Sequence, residues 1–261
     1  MNLSTKLCIE DQIATLTLNQ PNKHNAFDDA IIAELRSHLH TVRNSHDVRA
    51  LVLQAQGKNF CAGADLSWMK RMAELNYDEN LEDAQKLASL LSELNSLPIP
   101  TIARVQGAAY GGAIGLIACC DIAIASEDAR FCLSEVKLGL APATIGPYVV
   151  SAIGARQCRR LFLTAELFSA QAAKEMNLLH HIVTLDTLDN KVSETCEMLL
   201  KTGPNASKAA KSLIFEIEQH KDNIEYKTSE LIARLRVSEE GQSGLKSFFA
   251  KQPAPWVTDN D

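Results

Sequence analysis

The sequence predicts an α/β protein, on three observations. Short apolar or alternating runs recur between longer stretches with helical spacing, as when strands alternate with helices. Two loops of small residues, 60–66 and 107–112, each follow a strand-like run and lead into a helix-like one. From about Thr187 the chain turns almost wholly helical, which predicts a helical appendage on a mixed core. The expected division is a core over 1–195 and a helical region over 196–261.

The elements follow from local chemistry. Residues 13–18 alternate well enough for a strand, which Asn19-Gln20-Pro21-Asn22-Lys23 breaks. Asp28 is placed to cap a helix in which Ile31, Ile32, Leu35, Leu39 and Val42 fall on one face. His38, His40 and His46, in and near that helix, lack ligand spacing and read as solvated surface. Residues 49–54 form a second expected strand. The small-residue loop 60–66 and a helix over 67–75 come next. Leu81, Ala84, Leu87, Ala88, Leu91 and Leu94 then give a long amphipathic helix that Pro98 and Pro100 stop.

The chain is organised around residues 107–121. They follow a strand-like run at 101–105 and place the pair Gly111-Gly112 near a helix start. There the first N–H groups have no intrahelical partners and the helix dipole is positive, which suits an oxygen gaining negative charge. The pattern lacks the G-x-G-x-x-G spacing of a dinucleotide loop and the Lys-Ser/Thr of a nucleotide-phosphate loop. A tight turn without chemistry fits the glycines as well, but two such loops together offer two converging backbone donors.

Residues 122–125 and 131–133 are short apolar strands, and Glu135 closes the second. A carboxyl group in apolar surroundings has a raised pKa and can both accept and donate a proton near neutrality; an exposed glutamate paired with Lys137 fits the same spacing. Arg156, Arg159 and Arg160 lie on an expected helix, with solvation or ion pairing as their simplest role. A further helix starts at Ser169, residues 178–183 return to an extended run, and Ile224, Leu231, Ile232 and Leu235 are spaced for a packed face of the tail.

Composition narrows the function. The chain has 261 residues, enough for a substantial core, and a formal charge of −6 that argues against a basic nucleic-acid surface. Its seven cysteines form no C-x-x-C pair and no zinc spacing, so reduced, mostly buried thiols in a cytoplasmic protein are expected. Neither a leader after Met1 nor an apolar run long enough for a membrane span is read from the sequence.

With these residues in hand, the chain resembles the crotonase, or enoyl-CoA hydratase/isomerase, superfamily over essentially its full length. The marks come in order: Leu18-Asn19-Gln20-Pro21 with Lys23-His24-Asn25-Ala26, then Phe60-Cys61-Ala62-Gly63-Ala64-Asp65-Leu66, then 107–121, then Glu135 with Gly139 and Pro142, then Ser169-Ala170-Gln171-Ala172-Ala173. The run 131–145 is similar to that of bacterial methylglutaconyl-CoA and isohexenylglutaconyl-CoA hydratases.

The resemblance implies a spiral of ββα units followed by a helical region that builds trimers or dimers of trimers. It implies an acyl-CoA thioester substrate whose carbonyl oxygen sits between the N–H groups of Ala64 and Gly112. His24, Ala26, Ala62, Asp65 and Leu66 match positions that line the CoA site, and Phe248 and Lys251 match a pair that reaches its adenine end, from the same or a neighbouring subunit. No metal or redox cofactor is implied. Many hydratases of the family hold water between two glutamates. Here the second matches Glu135, while Gly115 stands at the place of the first.

One carboxylate serves either hydration of a branched 2-enoyl-CoA or the proton shuttle of an enoyl-CoA isomerase. Hydration is the expected reaction, with methylglutaconyl-CoA the expected substrate type. A non-catalytic acyl-CoA-binding oligomer is the alternative of another class. A distal acyl carboxylate calls for a cation, with Lys70, Arg71 and Lys137 as candidates.

Overall fold

A computed structural model describes residues 4–219 and 222–257; Met1, on which the reading of the start of the chain rests, lies outside them. The strands are β1 (Thr5–Glu10), β2 (Ile13–Leu18), β3 (Ala50–Ala55), β4 (Thr101–Val105), β5 (Ala108–Tyr110), β6 (Ile122–Ser126), β7 (Arg130–Cys132), β8 (Phe168–Ser169) and β9 (His181–Val183). The helices are α1 (Asp29–Asn44), α2 (Leu66–Glu74), α3 (Tyr77–Asn95), α4 (Gly112–Ala118), α5 (Gly146–Thr164), α6 (Ala170–Glu175), α7 (Leu188–Leu200), α8 (Pro204–Gln219), α9 (Ile224–Val237) and α10 (Glu239–Ala250).

The larger sheet runs β1-β2-β3-β4-β6-β9, parallel throughout except for the antiparallel β1–β2 hairpin. A second ladder is built from shorter pieces. Phe27 bridges Ala64, Cys61 bridges Ala109, β5 pairs with β7, and β7 pairs with β8. Each turn of the chain therefore lays one strand in the large sheet, one short extended piece in the ladder, and a helix outside. This is the crotonase-like spiral of ββα units. Parallel strands need such crossovers, because a hairpin cannot join them.

Burial explains the helices. On α1, Ile31, Ile32, Leu35, Leu39 and Val42 are all buried and the Asp28 carboxylate caps the Ile31 N–H at 3.0 Å, as the spacing predicts. His38 departs from expectation, because its Nε2 lies 3.1 Å from the buried Thr5 hydroxyl. On α3 Leu90, Leu91 and Leu94 are buried in the core and the partly buried Leu87 packs against it, while Leu81 is exposed. β1 and β5 were not expected from the sequence.

The expected boundary at residue 195 falls inside α7. Leu188, Val192 and Cys196 of that helix pack on Val52, Ile102 and Ile124, so its apolar face covers the large sheet and α7 goes with the core. The tail helix α8 is tied back by Lys211, whose ammonium donates to Asp121 Oδ2 at 2.7 Å and to the Ile99 carbonyl at 3.1 Å. Helices α9 and α10 bury no residue fully. Among the described residues no helix is long and apolar enough to cross a membrane.

Candidate active site

The two small-residue loops meet because the ladder joins them. Cys61 N–H donates to the Ala108 carbonyl at 3.0 Å and Tyr110 N–H to the Cys61 carbonyl at 3.0 Å, while Gly111 N–H donates to the Cys132 carbonyl at 2.9 Å. Ala64, Gly112 and Glu135 thereby line one cavity of about 830 Å³. The Phe27–Ala64 bridge uses the amides on either side of Ala64, with Phe27 N–H donating to Gly63 O and Asp65 N–H to Phe27 O, each at 2.9 Å. That leaves Ala64 N–H outside the ladder. Gly112 opens α4, where an N–H has no acceptor within its own helix.

Glycine is required at Gly111, whose φ of 53° and ψ of −124° form a conformation open mainly to glycine. At Gly112 the reason is room, since a Cβ there would lie 2.5 Å from Phe27 Cζ. Small residues thus bring the start of α4 against the Phe27 ring, with Gly112 in the cavity lining.

Glu135 begins a 3-10 turn over Glu135–Leu138 rather than closing a strand. Its Oε2 is buried and has no hydrogen-bond partner among the described residues. Burial pushes its pKa above the ordinary carboxylate value. An orphaned carboxyl oxygen in an apolar cavity is costly for folding, and it is what a proton-transfer group needs.

The residues expected to hold coenzyme A fall into two places. His24, Ala26, Ala62, Asp65 and Leu66 lie on two hydrogen-bonded segments beside the cavity-lining Phe27 and Ala64, and none of the five is in the lining itself. Ala62 N–H donates to the His24 carbonyl at 3.0 Å, and Asp65 caps α2 by accepting from Ser67 N–H at 2.8 Å and Trp68 N–H at 3.1 Å. Burial alone would raise the Asp65 pKa; those two amides and the Lys23 ammonium 3.4 Å away bring it below the ordinary value. Phe248 and Lys251 are exposed at the end of α10 and line no part of the cavity. Within one chain they are not brought to the site.

The expected cations also stay outside the cavity. Lys70 and Lys137 are exposed and Arg71 pairs with Asp29. The polar groups that do line it are Asn80, Asp83, Glu135 and Thr144, amid apolar residues of α2, α3 and the segment 138–145. Sequence reasoning missed Phe27, Trp68, Met69 and Met72 in that lining; Trp68 also donates its Nε1–H to Asp83 at 3.4 Å. In the sequence Asn25 stands out only as part of a motif. Buried, it holds the first loop by donating to the Gln56 and Asn59 carbonyls and accepting from Gln20 N–H.

Two amides beside a buried carboxyl group are the parts of a site that polarises a carbonyl and moves a proton next to it. Residues 8–259 match the family model described as enoyl-CoA hydratase/isomerase. The chain belongs to the enoyl-CoA hydratase/isomerase family.

Among solved members, an enoyl-CoA hydratase from Shewanella pealeana is 46% identical, with TM-score 0.94 over 97% of this chain and 96% of that one. Pseudomonas aeruginosa AtuE is 34% identical, with TM-score 0.95 over 98% and 100% of the two chains. A trans-2-decenoyl-[acyl-carrier-protein] isomerase of Streptococcus mutans is 27% identical over 94% of both. The family therefore includes both hydratases and isomerases among this chain's relatives.

Proposed function

We propose that this enzyme hydrates the C2=C3 bond of a branched 2-enoyl-CoA, with Glu135 as its only acid/base and the Ala64 and Gly112 amides as the oxyanion hole. The observation that carries the reading is the buried, unpartnered Oε2 of Glu135 in the cavity that both donor residues line. As the water oxygen bonds to C3, its proton passes to the Glu135 carboxylate, and the C2=C3 electrons move through C2 onto the thioester oxygen. The two amides hold that developing charge, each worth roughly 3 kcal/mol of barrier. The protonated Glu135 then returns a proton to C2. A raised pKa suits both halves, because one group must take and give a proton near neutrality. Coenzyme A enters as part of the substrate.

The methylglutaconyl reading belongs to this proposal. Its support is that residues 138 and 140–145 of the run that carries the subfamily resemblance line the cavity along with Glu135, so the similar residues are those that would touch the acyl group. Among the described residues no Lys or Arg is in that lining, which counts against a distal carboxylate. Trimer assembly through the tail is proposed as well, on the exposed apolar residues Ile232, Val237, Leu245, Phe248 and Phe249 of α9 and α10, and so is a cytoplasmic location.

Isomerisation is the second reading, favoured by the absence of a second glutamate from α4 beside Glu135 and by the decenoyl isomerase relative. Mass-resolved product analysis of 3-methylglutaconyl-CoA and crotonyl-CoA, with wild type and Glu135→Gln, separates them. A water adduct formed by wild type and lost in the variant is expected. An isobaric shifted alkene from a 3-enoyl-CoA, with no adduct, would replace hydration by isomerisation. No turnover on any enoyl-CoA would leave a binding protein.

A further inference from the structure

Gly115 stands three residues beyond Gly112 on α4. A Cβ built on it would lie 2.3 Å from Ile145 Cγ2 and 2.8 Å from Ile145 Cβ, with Leu91 Cδ2 at 3.4 Å. The first two separations are inside any van der Waals contact, so the room that a side chain at 115 would take is already filled. What fills it is part of the site: Ile145 is 2% exposed, directly precedes α5, and lines the same cavity as Glu135. A β-branched side chain is stiff at χ1, and Ile145 packs in the core cluster with Leu91 and Val149, so it does not swing aside easily.

We propose that Ile145 is a specificity-determining residue, whose side chain sets the width of the acyl cavity beside α4 and, by holding the room at Gly115, keeps a second acid/base side chain off that helix. The inference deepens the enoyl-CoA reading and rests on it. An α-helix rises about 1.5 Å per residue, so Gly115, three residues on, lies roughly 4.5 Å along α4 from Gly112. Substituents on C3 of an enoyl thioester reach a similar distance from the thioester oxygen. The residue at 145 therefore limits the size of the C3 substituent that faces α4: hydrogen or methyl fits there, a ring does not. The absence of a side chain at 115 and the bulk at 145 are two halves of one exchange of volume.

The test compares wild type, Ile145→Val and Ile145→Ala on crotonyl-CoA and cinnamoyl-CoA, which differ in a methyl against a phenyl group on C3. Ile145→Ala is expected to raise the cinnamoyl to crotonyl ratio of kcat/KM by about tenfold or more, and Ile145→Val to move it less in the same direction. The same ratio is read without chemistry as the Kd of 3-phenylpropanoyl-CoA against butyryl-CoA by calorimetry. A ratio within twofold of wild type in both readouts overturns the proposal.

Gly115→Ala supplies the second test, through melting midpoints. It is expected to destabilise the wild type and Ile145→Val alike, since valine keeps the Cγ2 and Cβ that the added methyl meets, and to cost less beside Ile145→Ala, which lacks Cγ2. Additive shifts would overturn the exchange of volume. A wild type that turns over no enoyl-CoA but shows the binding shift and the non-additive cycle would refute the enzymatic reading and leave Ile145 as the acyl gauge.

Discussion

Glu135 Oε1 lies 3.2 Å from the point where a Cβ on Gly111 would stand. The backbone that turns into α4 and the carboxyl group beside it are therefore packed against one another, and Gly111 holds a φ of 53° that a larger residue resists. Gly111→Ala is expected to cost roughly 1–3 kcal/mol of stability from backbone strain. It should also lower kcat more than it raises KM, because the methyl shifts the proton-transfer group. Thermal melts with steady-state kinetics check both; a kcat within twofold of wild type would show that the contact is incidental.

Glu135→Gln is expected to reduce turnover by about 10²–10⁴-fold while leaving the affinity for a saturated acyl-CoA close to wild type, as measured by calorimetry. Loss of binding in parallel with turnover would instead give Glu135 a structural role.

The same residue makes stability depend on pH. Burial raises the Glu135 pKa in the folded protein, so the fold binds that proton more tightly than the unfolded chain does. The resulting stabilisation is full below the ordinary carboxylate pKa, near 4.3, and is lost as pH rises through the raised folded value. Glu135→Gln, which is neutral throughout, should therefore melt higher than wild type at pH 8, with the gap closing as pH falls through the carboxylate range. A gap that is constant with pH would refute this.

Lys211 has a side chain only 10% exposed and meets an Asp121 carboxylate that also accepts from Thr101 N–H at 2.7 Å and Thr101 Oγ1 at 3.0 Å. Lys211→Met should cost on the order of 2 kcal/mol, since it leaves a half-buried carboxylate without its cation. The loss should appear as a lower melting midpoint, with kcat on a 2-enoyl-CoA unchanged at low temperature, because this pair ties α8 to the core and does not line the cavity.

Of the seven cysteines only Cys8 is exposed. Burial pushes the Cys61 and Cys120 thiols up to about 12 and Cys196 to about 11, which removes their thiolates at ordinary pH. One thiol should react with a disulfide reagent in the native protein at pH 8, and seven in denaturant. Several fast thiols in the native state would contradict the packing.

Much of the fold is legible residue by residue. The 3.6-residue spacing on α1 picks out its five buried positions because that helix has one buried side. Asp28 and Ser169 stand at the caps of α1 and α6 for the local reason that a short oxygen-bearing side chain satisfies a free amide. On α3 the same spacing misleads. Ala84 lines the cavity, and Leu87 lines it while also packing on the core, and an apolar residue carries no mark of which of the two it lines. The hairpin of β1 and β2 is hidden because its turn, Asp11-Gln12, holds positive φ of 47° and 66° without any glycine. β5 is hidden because a three-residue strand has no periodicity until β7 pairs with it.

The sequence by itself determined the local chemistry of this protein: where helices start and which faces are apolar, that two loops are built of small residues, and that one glutamate sits in apolar company. Each depends on neighbours within a few residues, whose propensities act wherever the rest of the chain lies. Only the tertiary structure decided that Ala64, Gly112 and Glu135 share one cavity, that Ile145 fills the room at Gly115, and that Lys70, Arg71 and Lys137 stay outside. Those relations depend on which distant segments bury one another, as Cys61 does against Ala109, and burial is a property of the whole packed chain.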